Sequence, residues 1–529
     1  MFRLKILKSI FLLAFFFALS LSALGQRNVL IIIADDLGSD YCGFYENHLD
    51  TVNLPNVRRL LKTGVRFKNA WSNPFCSPTR AGILTGRYSF RTGVGAAIGG
   101  NTSAVLDTAE ITIPKLLTKF KPAGIAKAHI GKWHLQTPTP KTNFIFPNKM
   151  GYDHYEGGFT GELANYFSWT KITNGTESTS TRYASTENAD NAISFIKKNK
   201  DAPFFVWLAF NAPHTPYHLP PTSLLKNNTL SGSSSDISAN PKNYYKAMNE
   251  AMDHEIGRLF DSLTVYNLWS NTDIIFIGDN GDDSRVAQSS PAKGSVYQGG
   301  LQVPMIISGP SVKSPNRTSD ALVHTTDLFA TILELFGHSQ WASQIPSSKP
   351  VDSKSLFPIL KNTSQEIRDW VFAEVFKGPA PASDGKTIRN KTHKFIQLDN
   401  GTKKLFNLAQ DPNEKTNLYS ENMTGSNLTN WEYLCGEMSK LLGVSNGCSL
   451  ILSTEIESLN AMPFPNPFNS KINFSDQKDG LIYILFAADG KEIYRGPTIK
   501  NQDFSFLPKG VYYLQTSENI GALFKMIKE

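Results

Sequence analysis

Cysteine is scarce: four among 529 residues, at Cys42, Cys76, Cys435 and Cys448. No second cysteine lies near Cys76, which argues against a disulfide or zinc role for it. Cys435 and Cys448 are close enough in sequence to pair in an oxidising compartment, whereas Cys42 has no partner that the sequence assigns. Blocks of Lys and Arg are missing too. A net charge of +7 over this length leaves no nucleic-acid footprint while permitting anionic substrates. Long apolar runs are absent beyond the N-terminus. There Arg3, Lys5 and Lys8 precede an apolar run from Ile10 to Ala18 and small residues at Ala23-Leu24-Gly25, the pattern of a cleaved signal peptide over residues 1–25. That run is short for a membrane span, so the expectation is export to a secreted or cell-surface location.

A chain of 529 residues with 40% hydrophobic content can bury a large core and is expected to form more than one domain. Asn28 to Ala34 is a continuous aliphatic run, the mark of a parallel strand covered on both faces, and it stops abruptly at Asp35-Asp36. Phe204 to Phe210 ends in Asn211-Ala212-Pro213-His214, and Asp273 to Gly278 ends in Asp279-Asn280-Gly281. A weaker run, Gly124 to Ile130, ends in Gly131-Lys132-Trp133-His134. Helical patterns at Asn56 to Leu61, Thr186 to Lys198 and Asn243 to Leu263 alternate with these runs. The fold class is therefore α/β, with a large, mostly parallel sheet sandwiched by helices. In such sheets ligands bind outside the carboxyl ends of the strands. One strand ending in Asp is ordinary turn chemistry; four ending in complementary ionisable groups point to a site. Asp35, Asp36, Asp279 and Asn280 offer only carboxylate and amide oxygens, a donor set for Ca²⁺ or Mg²⁺ rather than zinc.

The run Cys76-Ser77-Pro78-Thr79-Arg80, followed by Ala81-Gly82-Ile83-Leu84-Thr85-Gly86-Arg87, reads as an active-site turn. Pro78 suits the first turn of a helix, Arg80 lies one turn on from Cys76, and Gly82 and Gly86 allow close packing. Arg80 would then put a cation beside an anionic nucleophile or substrate. A buried cysteine beside a surface arginine is the plainer alternative.

Cys76 to Arg87 resembles the signature of the type I sulfatases of the alkaline phosphatase superfamily, in which the cysteine is oxidised to formylglycine, an aldehyde, after translation. The match extends through Leu84, Thr85 and Gly86. Gly131-Lys132-Trp133-His134, Asn211-Ala212-Pro213-His214 and Lys293, upstream of Gly299-Gly300, are similar to further sulfatase blocks. The resemblance implies that Asp35, Asp36, Asp279 and Asn280 bind Ca²⁺, ahead of Mg²⁺, together with residue 76. It also implies a partner maturase. The formylglycine hydrate, polarised by the cation and Arg80, would attack the sulfur of a sulfate ester. Lys132 and Lys293 would hold the sulfate oxygens, and His214 would protonate the departing alcohol. His134 would take the proton of the second hydroxyl so that sulfate is expelled. Gln298 and Gln302 depart from the family, where Glu and Arg are common. They imply a change in the support of the site or at the substrate's edge, with the core chemistry intact.

Leu322 to Gly337 reads as an amphipathic helix resembling the one before the second sulfatase subdomain. Thr392 to Ile396 and Lys404 to Leu408 read as short strands of a small antiparallel sheet. After Cys448 the composition shifts. Strands are expected at Leu481 to Ala487, Glu492 to Tyr494, Gly510 to Gln515 and Ala522 to Ile527, with a turn at Asp489-Gly490. Pro465-Asn466-Pro467, Gly510-Val511-Tyr512-Tyr513 and the terminal Lys525 to Glu529 resemble the C-terminal sorting domain of the type IX secretion system, whose machinery would be a partner. A carbohydrate-binding β-module is the alternative. The expected organisation is a catalytic α/β domain over 26–345, a C-terminal sulfatase subdomain over 346–450, a linker over 451–461 and the sorting domain over 462–529. The expected substrate is sulfated carbohydrate. A phosphonate or phosphate-ester hydrolase of the same superfamily and a non-catalytic carbohydrate-binding surface protein are the rival readings. Residues 136–185 and 215–241 read as polar insertions that shape the pocket, with Tyr152, His154, Tyr166 and Trp169 as candidates for sugar stacking.

Overall fold

A computed structural model describes residues 27–45, 48–99, 104–121, 124–226, 229–377, 384–444, 463–464, 468–474, 482–487, 491–516 and 519–529. The signal-peptide pattern, the linker, Cys448 and Pro465-Asn466-Pro467 lie outside these residues. The chain divides into two compact units, residues 1–418 and 419–529.

The larger unit is built on a ten-stranded sheet. In chain order its strands are β1 (Asn28–Ala34), β2 (Gly64–Trp71), β3 (Ala126–Gly131), β4 (His154–Gly157), β5 (Trp169–Thr173), β6 (Thr176–Ser180), β7 (Phe204–Ala209), β8 (Thr272–Gly278), β9 (Met305–Ser308) and β10 (Arg317–His324). Their order across the sheet is β10-β2-β9-β8-β1-β7-β3-β4-β5-β6. The central strands β8, β1, β7, β3 and β4 run parallel, β9 is antiparallel to both its neighbours, and the β4-β5-β6 end is antiparallel.

The aliphatic run of β1 explains its central place. Val29, Ile31 and Ile33 enter one core and Leu30, Ile32 and Ala34 the other, all fully buried. Each such aliphatic side chain contributes about 2 kcal/mol of transfer free energy, which only a strand covered on both faces collects. The first core is closed by the helices Cys76–Thr85, Ile113–Phe120 and Leu328–Leu335. The second is closed by Pro55–Thr63, Ala184–Lys198 and Pro241–Val265. A four-stranded antiparallel sheet follows, formed by β11 (Val371–Val375), β12 (Gly385–Arg389), β13 (His393–Leu398) and β14 (Lys403–Asn407). Val371 and Ala373 pack with Trp71, Leu301 and Leu322.

The smaller unit holds the helix Gly425–Leu442, the short pair β15 (Pro463–Phe464) and β16 (Asn473–Phe474), and β17 (Tyr483–Ala487), β18 (Glu492–Gly496), β19 (Gly510–Thr516) and β20 (Asn519–Lys528). The last four form an antiparallel sheet in the order β18-β17-β19-β20, with Phe468, Tyr483, Leu485, Leu514 and Met526 in its core. No helix among the described residues is long and apolar enough to cross a membrane.

Two readings are corrected. Leu322 to Gly337 is not one helix: β10 runs through His324, a 3-10 turn covers Thr325–Asp327, and the helix begins at Leu328. His324 Nδ1 accepts the Thr326 N–H at 3.1 Å while Asp327 Oδ2 accepts the His324 N–H at 2.8 Å, a reciprocal cap that stops the strand and starts the helix. Residues 136–185, read as a polar insertion, carry β4, β5 and β6 and extend the main sheet. Their polarity comes from an exposed edge: Thr176 to Thr179 face solvent, so no apolar alternation marks that strand.

Candidate active site

The four strands whose carboxyl ends carry ionisable groups are consecutive neighbours, β8-β1-β7-β3, and all parallel. Adjacent strands lie roughly 4.8 Å apart, so Asp279-Asn280, Asp35-Asp36, the His214 loop and Lys132 to His134 emerge side by side. Gly131 permits this crowding: its φ is +91°, and a Cβ there would stand 1.9 Å from the Ala209 carbonyl oxygen.

Cys76 opens the helix Cys76–Thr85, every residue of which is buried. The helix ends at Gly86, whose φ is +73° and where a Cβ would collide with the Phe329 ring at 2.7 Å. Cys76 Sγ lies 3.1 Å from His134 Nδ1, and His134 Nε2 lies 2.7 Å from the Ile98 carbonyl oxygen. A carbonyl only accepts, so Nε2 carries the proton and Nδ1 presents a lone pair to residue 76. Burial, then Lys132, keep the imidazole well below its ordinary range, hence neutral. Ser77 Oγ ties the arrangement together by donating to the His134 carbonyl at 2.8 Å and accepting the Ile98 N–H at 3.0 Å.

Beneath the cysteine three carboxylates meet three cations. Arg80 donates from Nε and Nη2 to Asp279 Oδ2 at 3.0 and 2.7 Å, and from Nη1 to the Lys132 carbonyl at 2.8 Å. Lys132 Nζ lies 2.5 Å from Asp35 Oδ2, and Lys293 Nζ lies 2.6 Å from Asp36 Oδ1. His214 Nε2 is 3.7 Å from Asp36 Oδ2. Burial raises the Asp35 carboxyl above its ordinary range, with Lys132 pulling it back. Burial works the same way on Asp36, but Lys293 and His214 outweigh it and hold that carboxyl well below the usual range. Asp36 and His134 both take left-handed backbone conformations, with φ of +64° and +53°, which only a few per cent of non-glycine residues adopt, Asp and His more often than most.

The residues fit a hard cation. Asp35 Oδ1 and Asn280 Oδ1 are buried with no hydrogen-bond partner. Ligand atoms of Asp35, Asp279 and Cys76 lie within 4.8 Å of one another, and so do those of Asp35, Asp36 and His214. Orphaned buried oxygens beside ionised carboxylates are what an oxygen-liganded ion satisfies.

Above lies a cleft of about 610 Å³ lined by Cys76, Ile98, Gln136, Glu162, His214 and Lys293 among others. The structure thus gathers all ten residues singled out in the sequence, with Lys132 and Arg80 fully buried under the cleft. Three of the stacking candidates are packing residues. Tyr152, Tyr166 and Trp169 are buried, and the single Tyr166 Oη proton is shared between the Asn211 and His214 carbonyls, each 2.7 Å away, pinning the His214 loop. His154 sits on β4 against Glu156 and Phe195. Gln298 and Gln302 bond each other at 3.1 Å, and Gln298 accepts from Trp71 Nε1 at 2.8 Å; neither lines the cleft. Gln136 and Glu162 belong to the 136–185 segment expected to shape the pocket, although neither is named individually there; Ile98, in a loop without periodicity or motif, is not anticipated.

The Sulfatase family model matches residues 27–338, and the C-terminal model of N-sulphoglucosamine sulphohydrolase matches residues 292–432. The chain belongs to the sulfatase family. Sulfatases are sulfate ester hydrolases, and this one is 27% identical to the uncharacterized sulfatase YdeN of Escherichia coli, over 65% of this chain and 68% of that protein. The N-acetylgalactosamine-6-O-sulfatase of Bacteroides thetaiotaomicron is 26% identical over 74% of this sulfatase and 89% of its own length. Among solved structures, Ps i-CgsB in complex with k-i-k-neocarrahexaose superposes with a TM-score of 0.64 at 27% identity, over 79% of this sulfatase and 93% of that chain.

Two outcomes follow from this geometry. Asp35→Ala and Asp279→Ala in this sulfatase should each abolish binding of the divalent ion that these oxygens fit, measured by inductively coupled plasma mass spectrometry. Sulfate release should fall by about 10³-fold while circular dichroism keeps the native spectrum. Retained metal and activity would reduce both residues to turn formers. The second outcome concerns His129, whose Nε2 donates to the Lys132 carbonyl at 2.9 Å and which burial lowers from 6.5 to about 3. Its neutral form stabilises the fold fully above pH 6.5, and that contribution is lost as the pH falls toward 3. Urea unfolding at pH 7 and pH 5 should show wild type losing about 1–2 kcal/mol more than His129→Phe on acidification.

Proposed function

We propose that this sulfatase removes sulfate esters from sulfated carbohydrate, using a formylglycine made from Cys76 and a bound Ca²⁺. The observation that carries the reading is the neutral His134 Nδ1 at 3.1 Å from Cys76 Sγ, at the floor of a cleft that also holds His214 and Lys293. Support for carbohydrate comes from the names of the relatives above. As a hydrated aldehyde, residue 76 would supply one oxygen to attack sulfur and a second hydroxyl whose deprotonation lets sulfate leave by elimination.

The chain's own residues provide for each need. His134 is set to accept a proton from residue 76, since its other nitrogen is committed to Ile98. Lys293 reaches from the cleft to Asp36 and stands where sulfate oxygens would arrive. Lys132 and Arg80 pair with Asp35 and Asp279 from below and hold the two side chains in place. His214, whose Nδ1 lies 3.0 Å from the Thr215 carbonyl, lines the cleft and would deliver a proton to the departing alcohol. Asp35, Asp36, Asp279 and Asn280 would hold the ion, which when bound supplies Lewis acidity at residue 76. Four protein oxygens, all buried, suit Ca²⁺ better than Mg²⁺, which keeps several of its waters.

Export, with a type IX sorting domain and its secretion machinery as partner, belongs to the same proposal. The residue 1–25 pattern and the antiparallel sheet of β17 to β20 support it. In a host with that machinery, removing residues 462–529 should hold the protein in the periplasm; release to the medium would overturn this part.

The catalytic reading is tested at residue 76. In a host with a maturase, mass spectrometry of the tryptic fragment should show loss of the sulfur, and kcat/KM should favour an aryl sulfate over the matching aryl phosphonate. Cys76→Ala should abolish turnover yet keep binding of sulfated ligand. Cys76→Ser should stop after a single sulfation, because a serine oxygen has no second hydroxyl to drive elimination. Multiple turnovers by the serine variant with no aldehyde at position 76, or a preference for the phosphonate, would sink the mechanism.

A further inference from the structure

A second cavity, of about 530 Å³, adjoins the active cleft, and Pro138, Thr160 and Glu162 line both. Its far wall is the hairpin β5-β6, through Trp169, Thr170, Ile172, Glu177 and Thr179. The volume falls within the roughly 300–1,000 Å³ of small-molecule sites. Its make-up is mixed. Phe144, Phe159 and Trp169, packed into the cores, back it with apolar edges, while the hydroxyls and carboxylates of exposed residues stand around it. Lys141 pairs with Glu177 at 3.0 Å, and Glu162, whose Oε1 accepts from Thr215 Oγ1 at 2.8 Å, is the carboxylate at the shared wall.

We infer that this cavity is a subsite for the sugar next to the one being desulfated, and that it takes an uncharged sugar. The inference rests on the carbohydrate reading above. A pyranose presents an apolar C–H face and a rim of hydroxyls, matching a cavity with an apolar back wall and a border of hydroxyl and carboxylate groups. The shared wall makes the cavity continuous with the reaction centre, so one chain would occupy both. One cation against two carboxylates disfavours a second sulfate there.

The test compares p-nitrophenyl sulfate, which has no second sugar, with oligosaccharides prepared from carrageenan, ulvan and chondroitin sulfate. Ala164 is exposed and lines only the second cavity, so Ala164→Trp fills the space without entering the cleft. On the oligosaccharide that wild type desulfates best, Ala164→Trp should lower kcat/KM by about tenfold, with p-nitrophenyl sulfate changed by less than about twofold. Glu177→Lys should raise, several-fold, the relative rate on oligosaccharides carrying a sulfate on the neighbouring sugar. Equal changes on both substrate classes, or none on either, would overturn the subsite while leaving the carbohydrate reading intact. Wild type that cleaves p-nitrophenyl sulfate and none of the oligosaccharides would overturn the carbohydrate reading, and the subsite with it.

Discussion

Three ion pairs, two of them fully buried and the third opening on the cleft, set the terms for the rest of this molecule. Arg80 with Asp279, Lys132 with Asp35, and Lys293 with Asp36 bring three carboxylates and three cations into a region where Asp35, Asp279, Arg80 and Lys132 have no solvent exposure at all. Removing one ion from water costs several kcal/mol even after relaxation, and a partner left alone leaves that cost uncompensated. The pairs are therefore interdependent, and they form only if β8, β1 and β3 deliver their carboxyl ends to one place, where the Cys76–Thr85 helix brings Arg80 and a loop brings Lys293. The sheet order β8-β1-β7-β3 does this, and the two aliphatic cores on either face hold the strands in that order.

The balance of charge also explains what the site is ready for. Three carboxylates against three cations leave it near neutral, so a divalent ion would make it positive, the polarity that suits an anionic ester. Two residues at this centre, Asp36 and His134, have left-handed backbones that cost about 1–2 kcal/mol each. Bonds on every side hold them there. The Asp36 N–H donates to Asp279 Oδ1 at 3.1 Å, and the His134 N–H donates to the Phe159 carbonyl at 3.1 Å. The strain aims His134 Nδ1 at residue 76.

Gln298 and Gln302 show how a departure from family pattern can be absorbed without touching the chemistry. The amides bond each other, the Gln298 N–H donates to Glu414 Oε2 at 2.6 Å, and Glu414 pairs with buried Lys394 at 2.6 Å. The turn that follows Lys293 is thereby tied to the β11–β14 sheet by neutral and charged contacts alike. Of the two roles open to these positions, support of the site and substrate edge, the contacts favour support: they form a joint between the main sheet and its smaller neighbour.

Some of this was written locally in the chain. Asn28–Ala34 announced a strand buried on both faces because nothing but aliphatic residues fills it, and Cys76 to Arg87 announced its helix and its cation by spacing of one turn. The paired Asp35-Asp36 and Asp279-Asn280 marked an oxygen-donor site, since short-range order places each pair at a strand's end. What the sequence left undecided is whatever depends on residues meeting across the fold. That His134 shows Nδ1 rather than Nε2 to Cys76 depends on Ile98, 36 residues away and featureless in its own loop. That Tyr166 and Trp169 pack inward, and that polar β5 and β6 close the sheet and wall a second cavity, depends on neighbours supplied by other strands. Local propensity identifies which groups are chemically able to act; only long-range packing, by deciding which of them lose water together, sets their protonation, their partners and their direction.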